Sequence, residues 1–444
     1  MALFGTSGIR GDAERLFTKQ FCFDLGRTFA KFITLHKNDG GVAVGIDPRG
    51  SSPRISKAVM SGLSFEGREI YDQGATCVPS INYILQTGGQ YAGGVMISGS
   101  HIKDYLNGVK FFFNKEEILK SQEAEIENIY NSLKEKEFYR GFEVKTHSED
   151  SAKTEYSEML IKIADKDYPR WKVVVDAGDG AQSDIMPQVL DLLGLEVVEL
   201  NTTIQGKFFA RDTEVEEEFR ELKERVLREK AALGIGYDSD GDRAVFVDEQ
   251  GKFIPGDFSA SIIAKFADGY SVVTPISTSK VVDYIGKKVY RTKVGSPYVV
   301  EKMKLTGSHI GFEPNGGCIS AEVMMSRDGG STTIKLLNIL KKSNLTLSGL
   351  IATLPKFYLV KTKFDYDWDL MDKIYESLKK KYKGVKIDDR DGVKIWLGDD
   401  EWLLFRSSLN APEFRVFAES KIEEHSRKLF SEGVKLVKSI ISNV

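Results

Sequence analysis

One recurring order constrains this chain more than any other feature. A short run of apolar residues is followed by a turn and then by a stretch with helical spacing of apolar positions. Residues 41–47 (GVAVGID) precede a helical pattern over 55–66, and residues 92–98 (AGGVMIS) form another apolar run. Residues 172–176 (KVVVD) lead through a Gly-rich turn to a helical pattern carrying Ile185, Val189, Leu192 and Leu193. Residues 195–200, 233–237, 244–248, 271–275 and 309–312 continue the series. Strands this uniformly apolar predict α/β layers, with sheets covered by helices on both faces.

Boundaries follow from breaks in that order. The charged, helix-like stretch 114–156 reads as a connector, and further breaks fall near 250–257 and 345–356. Beyond the last break the texture changes to strands at 357–364, 392–397, 402–406 and 414–419. A helix with Leu429, Phe430, Val434, Val437, Ile440 and Ile441 on one face closes the chain. The expected architecture is three consecutive α/β domains with mixed sheets (1–150, 151–252, 253–350) and a C-terminal α+β domain (351–444). No sequence repeat is visible.

With 444 residues, 41% of them hydrophobic and 29% charged, the chain is long enough to bury a core and too apolar to be wholly disordered. A net charge of −3 offers no basic excess for nucleic acid. Cys22, Cys77 and Cys318 are scattered and odd in number, so neither a zinc set nor a disulfide framework is expected. No apolar run reaches membrane-spanning length, and the start lacks the order of a signal peptide; a cytoplasmic protein is expected.

Five loops carry the chemistry. The sharpest is Asp238-Ser239-Asp240-Gly241-Asp242-Arg243 between two strand-like runs. Alternate residues of an extended segment share a face, and three carboxylates there repel unless a cation sits among them. Taken alone, a solvated polar turn is an equal reading. A calcium loop of the EF-hand type is excluded, because position 6 is Arg243 rather than Gly and the flanks are strands. Ser98-Gly99-Ser100-His101 follows a strand, where α/β proteins place ligands. Ser100 is its candidate nucleophile or phosphate carrier, and Lys110 lies downstream. Phe4-Gly5-Thr6-Ser7-Gly8-Ile9-Arg10-Gly11 resembles an anion cradle. Gly311-Phe312-Glu313-Pro314-Asn315-Gly316-Gly317 offers Glu313 and Asn315 to sugar hydroxyls, with Arg327-Asp328-Gly329-Gly330 a short way on. Finally, Arg406 and Arg415 bracket a loop with Ser408 and Asn410, a candidate phosphate clamp.

In this order the segments resemble the α-D-phosphohexomutase superfamily, which includes phosphoglucomutases, phosphomannomutases and phosphoglucosamine mutases. FGTSGIRG and DSDGDR carry the likeness most closely, and GFEPNGG is similar to the sugar loop of archaeal-type members. The resemblance implies four domains around a central cleft and exchange between hexose 1-phosphate and hexose 6-phosphate. It implies a phosphorylated Ser100, a bisphosphorylated sugar intermediate, and Mg²⁺ held by Ser100, Asp238, Asp240 and Asp242. Arg10, His101, Lys110 and Arg243 would surround the transferring group, and Glu313 and Asn315 the sugar. Arg406, Ser408, Asn410 and Arg415 would hold the phosphate not reacting. The implied partners are a phosphorylated hexose and a sugar bisphosphate activator, with a monomer or homodimer and neither nucleic acid nor membrane. The sequence departs from the family at Ile102 and Lys103, where Asn-Pro is usual, and at Leu409, Asn410 and Ala411, where Gly-Thr-Glu is usual. Ser296 and Gly317 occupy neighbourhoods where some members carry histidine. Two other readings follow from the same residues: a paralogue that binds a phosphosugar without turnover, and a Mg²⁺-dependent phosphatase with an aspartate nucleophile.

Overall fold

The computed structural model of the protein describes residues 3–5, 8–141, 144–204, 209–408 and 413–442. Four sheets organise them. The first has order β1-β5-β4-β2-β3-β7, with β6 paired to β5. Its strands are β1 (Ile9–Asp12), β2 (Gly41–Ile46), β3 (Ile70–Ala75), β4 (Tyr91–Ile97), β5 (Leu106–Phe113), β6 (Glu116–Glu117) and β7 (Thr146–Ser148). The second, β12-β11-β10-β8-β9, is built from β8 (Lys172–Asp176), β9 (Glu196–Leu200), β10 (Leu233–Tyr237), β11 (Ala244–Asp248) and β12 (Phe253–Ile254). The third, β14-β13-β15-β16-β17, comprises β13 (Ser271–Pro275), β14 (Lys288–Thr292), β15 (Ile310–Glu313), β16 (Gly317–Ser320) and β17 (Met324–Arg327).

The three α/β units repeat one topology. In each, the first strand is flanked by the second and third in parallel, and the fourth returns antiparallel beside the third. The quartets are β2, β3, β4, β5, then β8, β9, β10, β11, then β13, β14, β15, β16. Sequence alone showed no repeat, because what recurs is strand order and burial rather than residue identity. In all three units the turn from third to fourth strand carries one of the chemical loops: 98–105, 238–243 and 314–316. The switch from parallel to antiparallel pairing leaves a crevice at the carboxyl ends of the strands, which is where such sheets bind ligands.

The fourth sheet, β18-β22-β21-β20-β19, is antiparallel throughout. Its strands are β18 (Tyr358–Asp365), β19 (Lys386–Asp388), β20 (Val393–Trp396), β21 (Trp402–Ser407) and β22 (Glu413–Ser420). The helix Glu423–Ser442 covers one face, burying Val437 against Leu403, Phe405 and Val416. The fifth loop connects β21 to β22, so it occupies a hairpin slot like the loops at 98–105, 238–243 and 314–316.

Residues 114–156 are more than a connector. The helix Lys120–Leu133 buries Ile126 in the first core, and β7 adds a parallel strand beside β3. The helix Ser151–Ile163 sends Tyr156, Met159 and Leu160 into a core shared by the second and third units, which Cys77 of the first unit also enters. Charge on the outer faces hid these buried positions from a reading by composition. No described helix is long and apolar enough to cross a membrane.

Candidate active site

The nucleophile loop leaves β4 with Ser100 in the left-handed region, at φ 53°. A non-glycine residue there costs about 1–2 kcal/mol, so the surroundings must impose it. They do so mainly through Arg49, which the sequence reading passed over. Its guanidinium donates to the carbonyls of Lys103 at 2.8 Å, Leu106 at 2.9 Å and Ile102 at 2.8 Å, and to that of Ser100. Asp47 in turn holds Arg49 Nε at 3.0 Å. This clamp fixes the loop where Ile102 and Lys103 replace the stiffer Asn-Pro. The available signal was Arg49 itself, three residues beyond the carboxyl end of the apolar strand β2.

The Ser100 hydroxyl donates to Asp238 Oδ2 at 3.0 Å across 138 positions of chain. Asp238, Asp240 and Asp242 are all buried and present carboxylate oxygens within 4.8 Å of one another. They converge by a turn, not by the strand alternation expected from sequence. The strand ends at Tyr237, the Gly241 amide donates back to the Asp238 carbonyl at 3.1 Å, and Gly241 takes φ 71°. Gln182 closes over that turn, donating to the Gly241 carbonyl at 3.0 Å.

Charge is the main tension in this cluster. Burial, then the nearby Asp240 and Asp242, push the Asp238 carboxyl well above its ordinary range. Burial opposes charge on Asp240 too, but Lys110 outweighs it and holds that carboxyl down. Lys110 is 1% exposed and donates to Asp240 Oδ2 at 2.7 Å and Asp242 Oδ2 at 3.2 Å. These carboxylates overcome the burial penalty and raise its ammonium above the usual range. Asp240 Oδ1 and Asp242 Oδ1 are buried without a hydrogen-bond partner. An all-oxygen set with two orphaned carboxylate oxygens fits a hard divalent cation.

Above the cluster opens a cavity of about 830 Å³, counting the solvent in its mouth. Arg10 and His101 reach it from the first unit, Arg243 from the second, Glu313 and Asn315 from the third. Arg406, Ser408 and Arg415 reach it from the fourth. Asn410 lies outside the described residues, as do Leu409 and Ala411. His101 Nδ1 is 3.3 Å from Ser100 Oγ. Burial, then Arg243 and Arg10, push its imidazole well below the usual range, so the ring is neutral. Arg243 Nε lies 3.6 Å from both Asp238 and Asp242. Buried Nε atoms of Arg10, Arg243 and Arg415 have no hydrogen-bond partner, which suits a cavity that receives anionic oxygens. Arg406 and Arg415 face each other across β21 and β22, and Arg406 Nε is held by Asp391 at 2.9 Å.

In the sugar loop, Glu313 is 3% exposed; its two oxygens accept from the Gly295 amide at 3.1 Å and from Arg327 at 2.7 Å. Asn315 Oδ1 accepts from the Gly317 amide at 3.2 Å. Ser296 lines the same cavity. The sequence reading assigned no role to Arg327 or to Glu214, which also lines the cavity and pairs with Lys361 at 2.6 Å. Arg327 opens the Arg327-Asp328-Gly329-Gly330 segment beside the sugar loop, but its two partners, and the place of Glu214, follow only from three-dimensional proximity.

The comparisons with known proteins match this arrangement over the whole chain. The family models for phosphoglucomutase/phosphomannomutase alpha/beta/alpha domains I, II and III match residues 1–137, 154–251 and 255–358. A phosphoglucomutase/phosphomannomutase of Thermococcus kodakarensis is 36% identical over 461 residues, covering 99% of each chain. A phosphoglucosamine/phosphogalactosamine mutase of Sulfurisphaera tokodaii is 32% identical, covering 98% of this chain and 99% of its own. The structure of a phosphoglucomutase/phosphomannomutase family protein from Burkholderia thailandensis superposes with a TM-score of 0.83 at 22% identity, covering 99% and 97% of the two chains. That of the Aspergillus fumigatus N-acetylphosphoglucosamine mutase in complex with GlcNAc-6P and magnesium does so with a TM-score of 0.65 at 12% identity, covering 99% and 96%. Three matched domains and full-length relatives above 30% identity make this chain a member of the α-D-phosphohexomutase superfamily, an isomerase of the phosphohexomutase type.

Proposed function

We propose that the protein interconverts hexose 1-phosphate and hexose 6-phosphate, of glucose, mannose or glucosamine, through a phosphorylated Ser100 and a bisphosphorylated sugar. The observation carrying this reading is the 3.0 Å bond between Ser100 Oγ and Asp238, which joins a nucleophile loop to a cation-ready trio. Mg²⁺ held by Asp238, Asp240, Asp242 and the Ser100 oxygen supplies charge neutralisation for the transferring group. Mg²⁺ is among the hard cations that such an oxygen set suits, and the Aspergillus structure was solved with magnesium.

The chain's own residues do the rest. In the first transfer the P–O bond to Ser100 breaks and one to a sugar oxygen forms, the sugar hydroxyl giving up its proton as Ser100 Oγ takes one up. In the return transfer a P–O bond to Ser100 Oγ forms and one to a sugar oxygen breaks; the Ser100 proton passes to His101, whose neutral ring lies within reach, and the released sugar oxygen takes up a proton. Arg10 and Arg243 hold the oxygens of the moving group, and Lys110 fixes the charge balance of the aspartates. Glu313 and Asn315 orient the sugar, and Arg406, Ser408, Asn410 and Arg415 grip the distal phosphate. The two phosphate sites accept either end of the bisphosphate once it has turned. We assign the unit boundaries at 1–150, 151–252, 253–350 and 351–444, so that the first unit contributes two of the five loops and each of the others one. Three free, buried cysteines suit a reducing cytoplasm.

Intact-mass measurement of protein treated with glucose 1,6-bisphosphate should show one added phosphoryl group, absent in Ser100→Ala. A panel of hexose phosphates with Mg²⁺ and that activator should show isomerisation by the wild type and none by the variant. Phosphoserine formation without isomerisation of any panel member would sink the reading, and inorganic phosphate as the main product would replace it with a phosphatase.

A further inference from the structure

We propose that Arg327 is a positioning residue that ties the sugar loop to the aspartate trio, so that occupancy at Glu313 is felt at Asp242. The inference rests on the roles proposed above for Glu313 and the trio. Its geometry is direct. One guanidinium nitrogen, Nη1, donates to Glu313 Oε2 at 2.7 Å, and the other, Nη2, donates to Asp242 Oδ2 at 2.7 Å. Two functional loops from different units are joined by one planar group that is 4% exposed.

The fold is arranged around this side chain. Arg327 ends β17, where it pairs with Ile319, and the next amide, that of Asp328, donates to the Cys318 carbonyl at 3.0 Å. Asp328 caps the helix Gly329–Ser343 by accepting from the Ser331 amide at 3.0 Å, and it accepts from Tyr156 of the preceding unit's helix. The Arg327 backbone is therefore held from three sides. Its stem crosses Gly317, where a Cβ atom would lie 2.5 Å from Arg327 Cδ. Glycine at that position leaves the stem its straight path between the two acids.

Sharing at Asp242 gives the bridge its consequence. Arg327 and Lys110 both donate to Oδ2, so Oδ1 accepts no hydrogen bond and lies 3.6 Å from Arg243 Nε, in a trio whose carboxylates come within 4.8 Å of one another. The same guanidinium leaves Glu313 one fixed orientation, completed by the Gly295 amide. A sugar hydroxyl that draws on Glu313 weakens one arm of the fork and strengthens the other. A lysine keeps the charge but offers one nitrogen in place of the planar fork, so it cannot hold each acid on its own donor nitrogen as Arg327 does.

The test is a double-mutant cycle of Arg327→Lys and Glu313→Gln, read by Mn²⁺ titration without sugar, by steady-state kinetics and by thermal melting. Arg327→Lys should weaken Mn²⁺ binding about tenfold or more, the range for groups that orient metal-binding carboxylates. It should also lower kcat and raise KM for the hexose phosphate together. Glu313→Gln leaves Arg327 in place and should change Mn²⁺ affinity by about threefold or more, an effect lost in the Arg327→Lys background. Unchanged Mn²⁺ affinity in both single variants, or strictly additive effects in the double, would overturn the bridge. The Mn²⁺ cycle decides the bridge whatever the turnover. Loss of the mutase reading shows separately, as absence of isomerisation by the wild type.

Discussion

At the scale of single residues, this site is a problem of buried charge. Four cations, Arg10, Lys110, Arg243 and Arg327, gather over Asp238, Asp240, Asp242 and Glu313. Lys110 is the clearest case, because it is closed off from solvent and paired with two acids. Replacing it with methionine keeps the volume but strands the Asp240 carboxylate, while Asp242 keeps Arg327, so Lys110→Met should cost about 3–5 kcal/mol. Urea unfolding without divalent cations measures that loss, and millimolar Mg²⁺ should recover part of it. Arg49 makes a different point. Arg49→Lys retains charge beside Asp47 but cannot span the carbonyls of Ser100, Ile102, Lys103 and Leu106. A nucleophile released from its imposed φ should lose about 10- to 100-fold in kcat/KM, with the extent of Ser100 phosphorylation read in parallel by intact mass. Ser100 and the aspartates were legible in sequence because their residue types are adjacent and chemically distinctive. The roles of Arg49, Glu214 and Arg327 were not, since a charged residue without a chemically distinctive neighbour is usually a solvated one.

At the scale of elements, strand positions were largely readable. The runs at 233–237, 244–248 and 271–275 became β10, β11 and β13 with the same bounds. Apolar residues without interruption have one place to go, a sheet interior, and periodicity records that directly. Short strands such as β1, β6, β7 and β12 carry no such record; pairing with a neighbour, not their own residues, makes them strands. The helix Gly256–Phe266 offers an element-level test through Asp257 in its first turn. Burial pushes that carboxyl up to about 7, the Ser279 amide at 2.8 Å opposes the shift, and Glu419 adds to it. An acid raised in the folded state stabilises most while it is protonated in both states. Stability then falls as pH climbs from its ordinary value of 3.8 toward 7, because the unfolded chain releases the proton first. Melting temperatures at about pH 4.5 and pH 8 should therefore drop more for the wild type than for Asp257→Asn, which still accepts from Ser279. An equal drop in both would show that Asp257 does not carry the proton.

At the scale of the molecule, the units are not equally independent. One core runs through the second and third units and takes in Cys77 of the first and Leu354 and Phe357 of the fourth; the rest of the fourth packs around its own core of Leu403, Phe405 and Val416, with Trp402, Leu404 and Phe417 against Ile276. Phe405→Ala should lose about 3–5 kcal/mol. Hydrogen exchange should rise in 358–442 before it rises near Ser100, and simultaneous opening of all four units would contradict that division. The sequence by itself determined four units, their strand-forming runs and the residue types of the reacting loops, because hydrophobic period and local chemistry are properties of neighbouring residues. Only the tertiary structure decided that three units repeat one strand order, that the aspartates converge through a turn, and that Arg327 spans two loops. Those facts depend on distances between residues far apart in the chain, and such distances are set by how the sheets pack.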